Sequence, residues 1–157
     1  NEYHYGGMAM RGNAQWFNEQ LAKTIGTLTA ANAPPEKLAQ LSPPRDYLTS
    51  EGKTWIDGNE TRARWVEMHG KIDGVHAGVA VLGHPDNFRA PQPVRLHPQK
   101  PYFCFAPMIL GEFRISPGEA FVSRYRYYVH LGMPDADKSE QFWQDFSSPS
   151  TAVVVQD

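Results

Sequence analysis

One strand-like run that is apolar on both faces constrains the fold of this chain more than any other feature. Residues 75–82 read Val-His-Ala-Gly-Val-Ala-Val-Leu, and a polar face is missing from most of that length. Because side chains of a strand alternate between its two faces, a strand that is apolar on both is covered on both sides. The run therefore predicts a buried central strand, so the core of this protein is expected to be built from sheets.

Turn residues punctuate the rest of the chain. The 157 residues include 13 glycines and 13 prolines, a density that favours many short strands over long helices. Further strands are predicted at residues 61–69, 102–108, 113–116 and 119–131. Short helices are predicted at residues 14–23 and 135–146, and in the second of these Phe142, Trp143 and Phe146 can share one face. Residues 27–50 have the small, polar and proline-rich character of an irregular surface excursion.

The longest strand signal covers residues 119–131. Tyr125, Tyr127 and Val129 fall on one of its faces, and Arg126 and His130 fall on the other. Thirteen residues at about 3.3 Å each would span roughly 40 Å, which is long for an ordinary sheet. The pattern indicates a long, curved strand in a large β-sandwich. Its polar face is either solvated or lines a concave sheet.

Composition bears on several classes of function. The net charge is −2 and Lys and Arg form no block, which argues against a nucleic-acid partner. No run of 18 apolar residues occurs, so no membrane span is expected. The single cysteine, Cys104, lies between aromatic residues and is expected to be a small buried hydrophobe.

The polar segment that follows the central strand is the candidate site. Loops after a rigid strand commonly carry binding and catalytic side chains. His84 could act in acid–base chemistry or could cap the strand end. Asn87 and Arg89 suit ligands rich in hydroxyls or carboxylates, although Asx residues also build turns. His97 lies thirteen residues after His84, a spacing that matches no standard metal site, so no metal and no cofactor are predicted.

Other side chains are candidates by composition rather than by motif. Arg64 stands beside Trp65, and an aromatic next to polar donors resembles a platform on which a sugar stacks, although Trp65 would also fill a core. Arg126 would stabilise developing negative charge, and Arg11 and Asn87 would orient hydroxyls. His69 and His76 are isolated and are expected to be structural.

Four blocks of the sequence resemble a bacterial family called "methane oxygenase PmoA". The blocks are Tyr5–Arg11, Thr61–Val66, Gly78–Asn87 and Glu119–His130. Members of that family resemble extracytoplasmic proteins of bacteria that degrade complex carbohydrates, which implies a sugar-related role and a periplasmic or secreted location. The family label implies a metal-dependent oxygenase, whereas the methane-oxidising subunit of that name is an integral membrane protein.

The predicted fold is an all-β, antiparallel β-sandwich with one or two short helices, and the large sandwich of galactose mutarotase-like proteins is one form that it can take. Residues 1–157 are expected to form one domain of a longer chain. The leading hypothesis is carbohydrate processing or binding in a cleft near the loop from His84 to His97. The alternatives are a non-catalytic module that binds protein or glycan and, with less support, the metal-dependent oxygenase of the label. Whether the protein is an enzyme, and its oligomeric state, stay open.

Overall fold

Two antiparallel four-stranded sheets make up the fold in the computed structural model, which describes residues 6–149. The strands are β1 Ala9–Arg11, β2 Arg45–Thr49, β3 Arg62–Ala63, β4 Trp65–Ile72, β5 Val75–Gly83, β6 Gln92–Leu96, β7 Tyr102–Phe105 and β8 Tyr125–Leu131. The helices are α1 Glu19–Ala30, α2 Pro35–Ala39 and α3 Ala136–Ser147, with 3-10 turns at Ala14–Trp16 and Pro107–Leu110. Sheet 1 has the order β1-β7-β6-β3, and sheet 2 has the order β2-β4-β5-β8.

The main core lies between the two sheets. Sheet 1 contributes Val94, Leu96, Phe103 and Phe105, and sheet 2 contributes Tyr47, Val66, Met68, Val79 and Val81. Every one of these side chains is at most 4% exposed. The predicted mostly-β sandwich is therefore confirmed, and its described part has three short α-helices where one or two were predicted.

The apolar run of residues 75–82 is a central strand, as its pattern predicts. β5 pairs with β4 on one side and with β8 on the other. Val79 and Val81 point into the core between the sheets, while Ala80 and Leu82 point to the opposite face of sheet 2. Both faces are covered, which is why neither face needs a polar pattern.

The chain passes from one sheet to the other at Arg64. Ala63 belongs to β3 and pairs with Gln92 in sheet 1, whereas Trp65 belongs to β4 and pairs with Leu82 in sheet 2. The alternation of residues 61–69 is real, but the sheet changes within it. The two sheets consequently meet at a corner beside Arg64.

Helix α3 covers the outer face of sheet 2. Phe142, Trp143 and Phe146 share one side of the helix and pack against a cluster of Trp65, Ala80 and Leu82. The helix begins where the side chain of Asp135 accepts a hydrogen bond from the N–H of Lys138. The predicted helix at residues 135–146 is thereby confirmed to within one residue at each end.

Several predicted boundaries differ from the structure. Residues 27–50 contain the end of α1, helix α2 and strand β2, whose Arg45, Tyr47 and Thr49 are buried. No strand forms at residues 113–116, and the strand predicted at 119–131 begins only at Tyr125. Its partner β5 ends at Gly83, which pairs with Tyr125, so no ladder is available to earlier residues. The larger mutarotase-like sandwich stays a prediction.

The helix predicted at residues 14–23 starts later because Asn18 caps α1 at its first turn. Among the described residues, no helix combines the length and the apolar content that a membrane span requires. Tyr5, in the first block of the sequence resemblance, lies outside the described residues.

Candidate functional site

A cavity of about 150 Å³ lies at the corner where the two sheets meet. Its lining is Ala63, Arg64, Gly83, His84, Pro85, Asn87, Ala90, Pro91, Gln92, Phe105 and Trp143. The ends of β3, β5, β6 and β7 supply part of this lining, the turn after β5 supplies most of the rest, and α3 contributes Trp143. The cavity is smaller than the roughly 300–1,000 Å³ that drug-sized ligands occupy, so it accepts one ring or one small group. We call it the corner cavity.

His84 is held in one orientation at this cavity. Its Nδ1 accepts a hydrogen bond from the N–H of Asp86 at 3.2 Å, and its ring meets the edge of Phe146 at 5.0 Å between centroids. The carboxylate of Asp86 also lies 3.5 Å from Nδ1, and the bond from the Asp86 N–H is the one made by the neutral tautomer that carries its proton on Nε2. No group within residues 6–149 is seen to bond Nε2, so this nitrogen is the one that a ligand could use.

Asn87 fixes the turn to the segment that enters β8. Its Oδ1 accepts from the backbone N–H of Arg124 at 2.7 Å, and its Nδ2 donates to the carbonyl of the same residue at 2.8 Å. The side chain is buried at 5% exposure. Both ends of the amide are thus engaged with main chain. A direct bond from Asn87 to a ligand stays a prediction.

Arg64 lines the cavity with its charge already paired. One terminal nitrogen donates to Glu51 and the other to Glu140, each at 3.1 Å, and the guanidinium lies 5.3 Å from the centre of the Trp143 ring. Glu140 also accepts from the indole N–H of Trp65 at 2.8 Å. Burial raises the pKa of Glu140, but the hydrogen bonds from Trp65 and Arg64 outweigh it and hold that pKa below its ordinary value. Glu140 is therefore an anchoring carboxylate.

Two further lining residues have their polar atoms engaged elsewhere. The indole N–H of Trp143 donates to the carbonyl of Gly83 at 2.9 Å. Gln92 donates to the carbonyl of Phe88 and accepts from the hydroxyl of Tyr125 at 2.7 Å. The walls of the cavity are consequently fixed and largely apolar. The imidazole of His84 and the unpartnered Nε of Arg64 are the polar groups left available among the described lining residues.

Three other candidates lie outside the lining. Arg89 donates to the carbonyls of Pro107, Gly111 and Glu112, so it anchors the 107–112 segment. Arg126 rests over the ring of Phe146, with its guanidinium 4.7 Å from the ring centre. Trp65 is 2% exposed and belongs to the cluster beneath α3, as the core interpretation of this residue predicts.

His97 and Arg11 lie at a different end of sheet 1 from His84. The segment between the two histidines was treated as one loop, but residues 92–96 form β6. The first and last residues of β6 are four steps of about 3.3 Å apart, or roughly 13 Å. Arg11 lies over the ring of Tyr102 at 5.6 Å, and His97 contacts the edge of the same ring. The predicted grouping of His97 and Arg11 with His84 therefore needs correction.

His97 has a structural role that its sequence position does not reveal. Its Nδ1 accepts from the backbone N–H groups of Gln99 and Lys100, each at 3.1 Å. Burial, and then the positive charges of Arg95 and Lys100, lower the pKa of His97 to about 4. The ring is thus a neutral acceptor that shapes the turn before β7.

A buried polar cluster under α3 was missed by sequence reasoning. Glu67 is fully buried, and its two carboxylate oxygens bond Nε2 of His130 at 2.8 Å and the hydroxyl of Ser139 at 3.2 Å. Burial raises the pKa of Glu67, while the neighbouring His130 acts in the opposite direction. The three residues lie on β4, β8 and α3, so no local motif could indicate them.

A second, more open cavity of about 540 Å³ lies beside the turn between β4 and β5 and includes His69 and His76 in its lining. Burial lowers the pKa of His69. Across residues 6–149, no group of three His, Cys, Asp or Glu side chains is placed to hold a metal ion.

The fold and the site together define a mostly-β sandwich with a small, ring-sized cavity where its two sheets join. A family model described as "Family of unknown function (DUF6807)" matches residues 1–144, and the chain belongs to that family. No curated protein and no solved structure gives a significant match.

This finding corrects the resemblance drawn from the sequence. The four blocks were attributed to the "methane oxygenase PmoA" family, but the family that matches carries no such name and no assigned function. The assignment to that family is therefore wrong. The oxygenase alternative followed from the label of that family alone and loses that support. The extracytoplasmic location, which also came from the resemblance, stays a prediction.

Proposed function

We propose that this protein binds a carbohydrate and that one sugar ring occupies the corner cavity. A sugar ring has apolar C–H faces and hydroxyl groups at its edge, so it suits a pocket with apolar walls and a few directional polar groups. The observation that carries the proposal is the convergence of His84, Arg64 and Trp143 on one cavity of about 150 Å³.

Each group has a role in this proposal. The ring of Trp143 and the side chains of Pro85 and Pro91 provide apolar wall, and Nε2–H of His84 donates to a ring hydroxyl. Arg64 is held between two carboxylates and a tryptophan ring, so its remaining edge is preorganised at no further cost of ordering. The size of the cavity restricts it to a terminal or single ring, with any further rings lying outside.

The polar groups at the corner cavity favour a binding function over a catalytic one. Glycoside cleavage usually needs two carboxylates on either side of the bond, and within residues 6–149 no carboxylate lines the cavity. Arg126, the predicted stabiliser of negative charge, does not line it either. His84 alone could transfer a proton, so a proton-transfer reaction on a bound sugar is a narrower form of the same proposal.

A non-catalytic interaction module is the second candidate. Phe88, Phe113 and Phe121 form a surface cluster in which each ring is 37–43% exposed. Phe88 and Phe113 approach to 4.9 Å between ring centres, and Arg89 covers both. Exposed aromatics in one patch are typical of a surface that contacts a partner. The two candidates place their ligand on different residues, so the location of binding separates them.

Two substitutions of His84 test the sugar-binding role at the atomic level. Asn places an oxygen where Nδ1 was, so His84→Asn keeps the acceptor for Asp86 and removes the Nε2 donor. Gln places an amide nitrogen near Nε2, so His84→Gln keeps a donor and loses the acceptor. We expect affinity for the best of a panel of glucose, galactose, mannose, xylose and N-acetylglucosamine to fall at least about tenfold in His84→Asn and less in His84→Gln.

The matched control is His76→Asn, which changes a histidine of the second cavity. Titration calorimetry or NMR provides the affinities, and circular dichroism establishes that each variant is folded. Equal affinity of the wild type and His84→Asn would contradict the role of Nε2. If the wild-type protein binds none of the sugars of the panel, the proposed function itself is contradicted.

A further inference from the structure

Strand β8 is an edge of sheet 2 whose outer side has no partner strand among the described residues. The sheet order is β2-β4-β5-β8, so β8 pairs with β5 alone. The seven residues Tyr125–Leu131 contain no proline and no lysine, the residues that commonly block an edge. An open edge of this kind is a template for another strand.

Two hydrogen bonds at the ends of the β5–β8 ladder show in which direction the N–H and C=O groups of each β8 residue point. The carbonyl of Arg124 accepts from His84, and the N–H of Gly132 donates to the carbonyl of His76. Because backbone groups alternate in direction along a strand, residues 126, 128 and 130 bond β5. The N–H and C=O groups of Tyr125, Tyr127, Val129 and Leu131 therefore point to the open side.

The side chains of the same residues form an apolar surface. Val81 and Val79 pair with Tyr127 and Val129, so these four side chains share the face of sheet 2 that forms the core. The two valines of β5 are at most 4% exposed, whereas Tyr127 is 51% exposed and Val129 is 74% exposed. Leu131 is 79% exposed. The core face of sheet 2 thus continues uncovered onto β8.

The charges around β8 favour a second copy of the same chain in antiparallel orientation. Arg126 and Arg124, the latter paired with Asp86 at 3.3 Å, lie at the start of the strand. The exposed Asp135 and Asp137 follow its end, with Lys138 next to them. An antiparallel arrangement brings the basic start of one strand near the acidic exit of the other, and a parallel one places like charges together. Centring the two-fold axis on Tyr128 pairs every outward-facing backbone group.

We infer that β8 joins β8 of a second copy, edge to edge, and that the two sheets continue into one eight-stranded sheet across a two-fold axis. In this register Tyr127 lies opposite Val129 of the second copy, and Tyr125 lies opposite its Leu131. Pairs of aromatic and β-branched side chains are favourable across antiparallel strands. The contact is isologous and closes on itself, so it produces a dimer and no filament.

The test is the oligomeric state as a function of concentration, measured by analytical ultracentrifugation from about 1 to several hundred micromolar. An interface built on one strand pair is small, so a dissociation constant in the micromolar range is expected. Val129→Lys places a charge in the centre of the contact and should weaken the dimer at least about tenfold. Val129 is 74% exposed in the single chain, so the variant should fold as the wild type does.

Val75→Lys is the matched control, because Val75 is 54% exposed and lies on β5 rather than on β8. It should leave the dissociation constant unchanged. Hydrogen exchange should slow at the amides of Tyr127 and Val129 as the concentration rises. A protein that stays monomeric throughout, one in which both lysine variants behave alike, or one whose β8 amides are protected at every concentration would overturn the inference.

Discussion

At the scale of single residues, the polar side chains near the ends of sheet 1 mainly form hydrogen bonds with the backbone. His84 and His97 both accept backbone N–H groups at Nδ1, and Asn87 bonds the main chain of Arg124. The difference between the two histidines is their electrostatic surroundings. His97 faces several positive charges in addition to its burial, whereas His84 borders a cavity and an aromatic edge. One ring type thus serves as a turn acceptor in one place and as a candidate ligand donor in the other.

The lowered pKa of His97 predicts a specific dependence of stability on pH. Its folded value is about 4, below the ordinary value of 6.5, so the unfolded chain binds this proton first as pH falls. The stabilising contribution is complete above about pH 6.5 and is lost progressively down to about pH 4. NMR titration of the imidazole should give a midpoint near 4 in the folded protein.

His97→Asn is the control for that prediction, since its side-chain oxygen can accept the same N–H groups without titrating in this range. Its urea-unfolding free energy should decline less between pH 6.5 and 4 than that of the wild type. A midpoint near 6.5 for His97, or identical pH profiles for the two proteins, would show that the ring is not held as described.

At the scale of elements, α3 connects the corner cavity to the outer face of sheet 2. Its Glu140 bonds Arg64 and Trp65, its Trp143 bonds the end of β5, and its Ser139 bonds the buried Glu67. The apolar contacts alone would allow α3 to rotate about its axis. These hydrogen bonds can all form at only one rotation of the helix, so they fix its orientation on the sheet. The position of the cavity wall therefore depends on how the helix docks.

Glu140→Gln tests this coupling. The neutral amide cannot hold both the guanidinium of Arg64 and the indole of Trp65 as the carboxylate does, and loss of hydrogen bonds to a charged group costs about 1–3 kcal/mol. We expect the free energy of unfolding to fall by that amount and sugar affinity to fall with it. The pKa of Glu140 is lower in the folded protein than in the unfolded chain. The contribution of Glu140 to stability is therefore complete when the pH is above the pKa of the unfolded state, and it is lost as the pH falls through the pKa of the folded state.

Glu51→Gln is the matched control. Glu51 also bonds Arg64, but it is more exposed and does not hold Trp65, so its substitution should cost no more than about 1 kcal/mol. Urea denaturation of the two variants gives the comparison. Equal costs would mean that the helix is docked by its apolar face alone.

The same elements show what the sequence could and could not predict. Burial is visible in the local sequence of two elements. β5 is apolar on both faces, and α3 has Phe142, Trp143 and Phe146 on one side, so the residue range of each element was predicted to within one residue at each end. The length of β8 depends on where its partner β5 ends, which no local pattern contains. The polar face of residues 125–131 is predicted to be solvated or to line a concave sheet, whereas its His130 lies beneath α3. On the other face Tyr127, Val129 and Leu131 are exposed.

The candidate site was predicted in part. Sequence position places His84 and Asn87 in one loop, and Arg64 is a separate candidate because it stands beside Trp65. All three line the corner cavity. The position of a residue in the sequence could not show that the side chain of Asn87 bonds the backbone of Arg124, 37 residues later. It also could not show that strand β6 separates His97 from His84. Trp143 was expected only as one of the packing residues of a helix face, because its place at the cavity depends on how α3 docks.

At the scale of the whole molecule, the cavity is a consequence of how two sheets join. The chain changes sheet at Arg64, β5 stops at Gly83, and the following turn returns to sheet 1 at Gln92. A corner formed in this way has strand ends on several sides, and α3 contributes Trp143 to its wall. Membership of the DUF6807 family assigns no ligand to this corner, which makes its occupancy the central question.

Occupancy of the corner cavity by a sugar can be measured by chemical-shift mapping of the ¹⁵N-labelled wild type with the monosaccharide panel. We expect saturable shifts at the indole N–H of Trp143, the imidazole of His84 and the amide of Ala90, with the His97 turn unaffected. Shifts confined to Phe88, Phe113 and Phe121 would favour the interaction module instead. An absence of saturable shifts at the corner cavity with every sugar of the panel would contradict carbohydrate binding at this site.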